Sequence, residues 1–498
     1  MGHSQNDGDV LYVEYSGGTA TATTQLDKEA SVLPQLTPDE ELRDKKVRKK
    51  IDLLILPLCT LNYFFSSMDR GDLGNAKLSG FQADNHLSNV DFSTVLAIFY
   101  VGYIIFQPIG GLSIRWFEPY LILGLANMVW GAATILMMTS KNMLAPSILR
   151  IIIGAAEGIT EINGVYLTMW YTPREYAVRA GIWYSFGVLA TCFNGLIAYG
   201  IQENATSTLK PWRLLFLVEG VLPIIFGCVM IWLYPSRPEK VKKFFTEEEK
   251  ELILQRTRRA YNTPGEKVTL RGSLTIFAQP QLYGMCLIYF VVIWASSGYS
   301  NFLPSIINGF GYSTVRSQLL TVPYAVLGFL SVNLFCFVSD RTQRRGVFVL
   351  GLATVALVGF AILYAVPDAS GPRLFALALI SLGNYPLIPI MLTWVYVNTI
   401  GLSRRAMAIP LQNVAGQVGG LAVSYTYINP PRYANGTLAT LVLLATLLLV
   451  VAVLECYFFA QNKKKVTRIE EDPAWYEVNR NKAFDELGTE HPDFRYTL

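Results

Sequence analysis

PSRPEKVKKFFTEEEKELILQRTRRAYNTPGEKVTLRGSLTIFAQ, residues 235–279, is the stretch whose reading decides the fold. It is crowded with charge: Arg237, Lys240, Lys242 and Lys243, then Glu247 to Lys250, then Arg256, Arg258 and Arg259. Largely apolar sequence lies on either side. A charged interior segment between two apolar blocks of similar length reads as a linker that stays in water while each block lies in a membrane. Within it, Glu247 to Arg259 is the place for an amphipathic helix.

Composition agrees. Of 498 residues, 52% are hydrophobic and 16% charged, against about 25% charge in soluble proteins, and the mean hydropathy is +0.34. The apolar runs last about 20 residues, enough for a helix to cross a hydrocarbon core roughly 30 Å thick. Six runs fall on each side of the linker, at 51–69, 92–113, 118–138, 147–169, 180–201 and 214–234, then at 281–303, 317–338, 347–366, 373–396, 407–428 and 437–459. The expected fold is all-α and polytopic, with twelve transmembrane helices in two six-helix halves. The expected organisation is a disordered cytoplasmic tail at 1–50, the first half at 51–234, the cytoplasmic linker at 235–279, the second half at 280–460 and a cytoplasmic tail at 461–498.

Basic residues test that count separately. The run Arg43 to Lys50 precedes the first span, and alternate short loops carry Arg115, then Arg174 and Arg179, then Arg341, Arg344 and Arg345, then Arg404 and Arg405, with Lys463 to Lys465 opening the tail. Intervening loops are expected to be poorer, with Lys141, Lys210 and Arg432 as scattered members. By the positive-inside rule the richer side is cytoplasmic, with both termini on it. The net charge of +4 is small and the basic stretches are short, so nucleic acid is not an expected partner. No charged stretch leading directly into a short apolar core opens the chain, so no cleavable signal peptide is expected. The six cysteines all fall in apolar runs without a CxxC unit, which predicts free thiols and no metal or other cofactor. Two N-x-[ST] sequons, at Asn204 and Asn435, fall in loops expected outside and are candidate glycosylation sites.

Polar residues inside the spans mark the candidate site. Arg150, Gly154, Glu157 and Glu161 in the fourth span are spaced four, three and four apart, which puts them on one helical face. An ionised group in hydrocarbon costs several kcal/mol or more, so such residues face a watery cavity or a partner. The chemical reading is that Arg150 binds an anionic carboxylate while Glu157 or Glu161 carries a coupling proton, since desolvation favours the neutral form of a carboxyl and arginine stays charged. A structural Arg–Glu pair fastening two spans fits the same spacing. Asp69 and Arg70, expected at the outer end of the first span, fit a gate salt bridge, a substrate contact or an interfacial anchor. Glu219 in the sixth span, beside Gly220 and near Pro223, is a further candidate for the proton. His3, His86 and His491 all lie outside the spans, so histidine is not expected to be the buried proton carrier. In the second half, Asn384, Tyr385, Pro386 and Pro389 suggest a broken helix able to bind or move, and Trp294, Tyr385 or Trp394 offers a face for stacking.

Four stretches then carry a resemblance. Ser339-Asp340-Arg341-Thr342-Gln343-Arg344-Arg345 resembles the acidic and basic loop motif of the major facilitator superfamily, which implies an inner gate built from Asp340, Arg341, Arg344 and Arg345. The matching loop of the first half, Gly110 to Phe117, lacks the acid and the second arginine. More narrowly, Asp69-Arg70-Gly71-Asp72-Leu73-Gly74-Asn75-Ala76, Arg150 through Glu157-Gly158, and the tail Asp493-Phe494-Arg495-Tyr496 resemble the fungal allantoate permease branch of the anion:cation symporters, with Asp72 where asparagine is usual. The resemblance implies a monomeric, proton-driven importer of a small organic anion or vitamin-like carboxylate (allantoate, nicotinate, pantothenate or similar) at the fungal plasma membrane, with Arg150 and Glu157 as the functional pair. An exporter of a fungal metabolite and a non-transporting nutrient sensor are the rival readings. An enzyme is not expected, because no nucleophile with a base and no metal cluster accompanies the buried acids.

Overall fold

The computed structural model describes residues 38–498 apart from 115, 172, 204–208, 242, 262–273, 367–368, 401 and 481–486. Two units are distinguished: Met1–Lys49, whose described part is helical, and the body, Lys50–Leu498. The first block holds α1 (Pro38–Leu78), a single turn α2 (Phe81–Asp84), α3 (Asn89–Ser113), α4 (Pro119–Met137), α5 (Leu144–Thr160), α6 (Ile162–Trp170), α7 (Pro173–Glu203) and α8 (Pro211–Leu233). The linker contributes α9 (Glu247–Tyr261), where the amphipathic helix was expected. The second block holds α10 (Pro280–Asn308), α11 (Thr314–Leu319), α12 (Thr321–Thr342), α13 (Arg345–Ala365), α14 (Ser370–Asn384), α15 (Leu387–Asn398), α16 (Leu402–Ser424) and α17 (Ala434–Glu471), and α18 (Pro473–Asn479) follows. Proline opens α4, α8 and α10, where its missing N–H leaves no internal bond unmade.

Among the described residues, ten helices are long and apolar enough to cross a membrane. The hydropathy pattern predicts twelve, and the two outside the ten are the expected spans 147–169 and 407–428. The first breaks at Glu161 into pieces of 17 and 9 residues and carries Arg150, Glu157 and Glu161 close together, which lowers its hydropathy. The second, α16, dilutes its apolar residues with Arg404, Arg405, Gln412, Asn413 and Gln417. A further correction concerns Asp69 and Arg70, expected at the end of the first span: α1 runs on to Leu78, so both sit well inside it. Asp72 and Asn75 lower the hydropathy there, but Asn194 of α7 hydrogen-bonds to both, and to the Met68 carbonyl, which lets the helix continue.

Within the first block α3 packs on α5, and α4 on α5 and α8; within the second, α10 packs on α16, and α13 on α14 and α17. At Gly154 a side chain would overlap the Phe99 carbonyl, and at Gly102 it would overlap that of Ile151, so α3 and α5 touch backbone to backbone. Contacts between the blocks run along α7 against α12 and α3 against α16.

The linker is fastened at several points. Lys50 pairs with Glu249 at 2.6 Å, and Arg256 Nη2 donates to both oxygens of Glu175 at 2.6 and 2.7 Å. Arg237 and Lys240 both reach Glu118. After the undescribed residues, Arg404 donates to Thr275 Oγ1 at 2.9 Å. The tail folds back on the second block: Tyr496 stacks on Phe458 at 4.7 Å, and Asn462 both donates to the Tyr496 carbonyl and accepts from its N–H. Asn398 makes the same paired contact with Thr497. At the opposite end Asp84 accepts from Lys210 and Trp212, and the Lys210 bond holds its carboxyl below the usual range.

Candidate functional site

The site is assembled on α1, α3 and α5. Ser66 and Arg70 are four apart and share a face of α1; Glu157 and Glu161 are four apart on α5, the second at the break before α6. Arg70 Nε donates to Glu157 Oε2 at 2.8 Å, and its Nη2 donates to Ser66 Oγ at 3.0 Å and Tyr103 OH at 3.4 Å. Ser66 Oγ donates to the same Glu157 oxygen at 2.6 Å, leaving Glu157 Oε1 buried without a hydrogen-bond partner among the described residues. Tyr103 OH donates to Glu161 Oε1, which lies 3.9 Å from Arg70 Nη2. The guanidinium also lies over the Tyr103 ring at 5.0 Å. Side-chain exposure falls from 26% at Arg70 through 15% at Glu161 to none at Glu157, so the arginine meets open space while one carboxylate is sealed behind it.

That open space is a cavity of about 140 Å³ between the blocks. Tyr63, Ser67 and Arg70 of α1, Tyr100 and Tyr103 of α3, Glu161, and Tyr184 and Thr191 of α7 line one side. Tyr289, Ser296, Ser297 and Asn301 of α10, Tyr385, and Asn413 and Gln417 of α16 line the other. Tyr100 OH and Ser297 Oγ, 3.1 Å apart, bridge the two. Six tyrosines in the wall offer ring faces and hydroxyls to one small ligand.

Other expected site residues are placed elsewhere. Arg150 is not among the lining residues: its Nη1 lies 3.2 Å from Asp69 Oδ2, Thr134 donates to Asp69 Oδ1 at 2.8 Å, and both charged side chains are 3% exposed. This buried pair joins α1, α4 and α5, with Asp69 in the place of the glutamate that the spacing in the fourth span suggested. Glu219 on α8 is buried with neither carboxylate oxygen hydrogen-bonded among the described residues. Asn384 stands behind the wall, donating to Ser296 Oγ at 2.7 Å, while Tyr385 is in it. Trp394 is a correction: its indole N–H donates to the Thr497 carbonyl at 2.9 Å, so it holds the tail and does not reach the cavity. Trp294 likewise spends its N–H on Thr440. Of the four residues expected at an inner gate, Asp340 and Arg345 pair at 3.2 Å and Arg345 also donates to the Thr393 carbonyl, tying α12, α13 and α15 together. Arg341 covers the Phe337 ring and Arg344 is exposed. Asn435 is exposed in the first turn of α17; Asn204 and Arg115 lie outside the described residues. All six cysteines are free.

Sequence reasoning missed Ser66, Tyr63, Tyr100, Tyr103, Tyr184 and Tyr289. The spacing of Ser66 to Arg70 and of Tyr100 to Tyr103 was a signal, but aromatic residues make up 13% of the chain and spacing alone does not say which face a cavity.

The Major Facilitator Superfamily profile matches residues 59–424. The chain belongs to the major facilitator superfamily. As a member it is a multi-pass membrane transporter and not an enzyme. Superfamily relatives include the high-affinity nicotinic acid transporter of Saccharomyces cerevisiae, 28% identical over 95% of this chain and 90% of the yeast protein. The MFS-type transporter cnsO of Penicillium expansum is 29% identical over 91% of this chain and 90% of that protein. The MFS-type transporter efuF of Hormonema carpetanum is 30% identical over 81% and 83%. Among solved structures, the xylose transporter XylE of E. coli, in a partially occluded inward open conformation, superposes with a TM-score of 0.62 at 14% identity over 79% of this chain and 96% of that one. A bacterial homolog of the human lysosomal transporter Spinster gives 0.61 at 15% identity over 80% and 95%. Both establish the superfamily fold.

Proposed function

We propose that this superfamily member is a proton-coupled importer of a small organic carboxylate, of the fungal allantoate permease branch. It works as a monomer at the plasma membrane with both termini cytoplasmic. On this reading twelve spans form two six-helix halves, with α5–α6 and α16 completing the set, and the halves rock about the cavity between them.

The observation that carries the reading is Arg70, held at the cavity wall between Glu157 and Glu161. With both carboxylates ionised the trio carries one net negative charge, which opposes an incoming anion. A proton on either glutamate neutralises the trio and leaves the guanidinium to take a substrate carboxylate. Proton and anion then favour each other's binding, and the preference is mutual by linkage. The cavity is smaller than the roughly 300–1,000 Å³ of pockets for drug-sized ligands, which favours a small substrate. The tyrosine wall suits a flat one, and the named substrate of the yeast relative is of that kind. Arg150 and Asp69 serve as a structural tie between α1 and α5.

The test is uptake in a fungal strain lacking its own related permeases. A panel of radiolabelled organic acids and vitamins is offered with and without a protonophore, to wild type and to Glu157→Gln. Accumulation of one compound, abolished by protonophore and by Glu157→Gln, is the expected result. A protein that reaches the surface while preloaded cells lose a compound faster replaces the importer with an exporter.

A further inference from the structure

Lys77 lies two turns beyond Arg70 on the same face of α1, a rise of about 10.5 Å. Its ammonium is enclosed by rings from three elements: Phe92 of α3 at 4.6 Å, Phe302 of α10 at 5.9 Å and Tyr433, just before α17, at 5.7 Å. It also donates to the Tyr433 hydroxyl at 3.4 Å. All three rings are buried, and Tyr427 packs against both Phe302 and Tyr433 from behind. Among the described residues no carboxylate pairs with this ammonium.

Two features give the cage a consequence. It ties α1 and α3 of the first block to α10 and the start of α17 of the second, beside the Gln318–Ser79 bond, which also crosses the blocks at 3.3 Å. It also stands over a constriction. At Gly74, between Lys77 and Arg70, a side chain would overlap the Asn301 carbonyl oxygen of α10, and Asn301 lines the cavity. Any opening of this end pulls the rings of the two blocks apart and exposes an ammonium without an acidic partner. Aromatic faces return only part of the hydration an ammonium gives up, so the exposed group favours an anion.

We propose that Lys77 and its ring cage form an outer subsite for the substrate carboxylate: the cage locks this end when empty, and a carboxylate that pairs with Lys77 holds it open and passes on to Arg70. This rests on the transport reading above and adds a binding step to it.

The test uses the full-length protein in lipid nanodiscs, where both faces are accessible. A thiol is placed by Ser79→Cys and its reaction with a polar maleimide is timed, with the protein lacking that substitution as background. Nicotinate is the carboxylate probe and nicotinamide its neutral control. The expected results are that nicotinate, and not nicotinamide, speeds labelling several-fold. Lys77→Met speeds labelling without ligand and removes the nicotinate effect, while Lys77→Arg keeps both the slow basal rate and the response. Basal labelling unchanged by Lys77→Met overturns the lock. A nicotinate effect that is absent from the lysine-containing protein, or that survives Lys77→Met, overturns the subsite. Failure of the transport reading looks different, with no compound of the uptake panel moved in either direction whatever the labelling shows.

Discussion

Arg70 spends its guanidinium in two directions at once, Nε on Glu157 and Nη2 on Ser66 and Tyr103. A lysine keeps the charge and cannot reproduce that fork. Arg70→Lys is expected to lower kcat/KM for carboxylate uptake about 10–100-fold, roughly 1.4–2.7 kcal/mol of transition-state stabilisation, with unchanged surface expression; concentration-dependent uptake on matched cells measures it. The cost of burying charge made Asp69, Arg70, Arg150, Glu157 and Glu161 visible in the sequence as functional candidates. It did not say which arginine faced the cavity. Both arginines find their acidic partners on other helices, so spacing within one helix left their roles open. Glu157 and Glu161 separate for the same reason: four residues apart on one face, one is sealed by Ser66 and Arg70 and the other meets Tyr103 at the wall.

At the scale of helices, a tight requirement is the crossing of α3 and α5, where Gly154 admits the Phe99 carbonyl into the space a side chain would fill. Because the obstacle is backbone, Gly154→Ala is expected to force the helices apart and cost about 1–3 kcal/mol, read as a lower melting temperature of the purified protein and a weaker response to substrate. The position of most spans was legible because a run of about 20 apolar residues has few other uses. Their continuity was less so. Pro386 and Pro389 announce the interruption between α14 and α15, whereas nothing in the composition of the fourth span marks the break at Glu161. Hydropathy also ended α1 too early, since it scores Asp72 and Asn75 as polar without seeing Asn194. Trp394 shows the same limit in reverse: an aromatic residue in the span of Asn384 and Tyr385 looked like a ligand platform, and its partner proved to be the backbone of the tail, about one hundred residues on in sequence.

Across the whole molecule, the alternation of basic loops predicts which loops share a side, but which end is closed depends on contacts between blocks that no local pattern encodes. The Lys77 cage and the Gln318–Ser79 bond close the end away from the linker. The linker contacts given above divide between the blocks. Up to α9 they go to the first block, through Glu118, Glu175 and Lys50, and from Thr275 onward they go to the second, through Arg404. For the gene this means that its reading frame has a natural place to be divided. Two messages, one ending and the other restarting within codons 262–273, are expected to yield polypeptides that find each other in the membrane and recover at least about half of the intact protein's uptake, where either product alone gives none. Co-expression of the two in the permease-deficient strain measures it, and a pair that inserts but stays separate would mean that the chain's continuity is itself part of the machine.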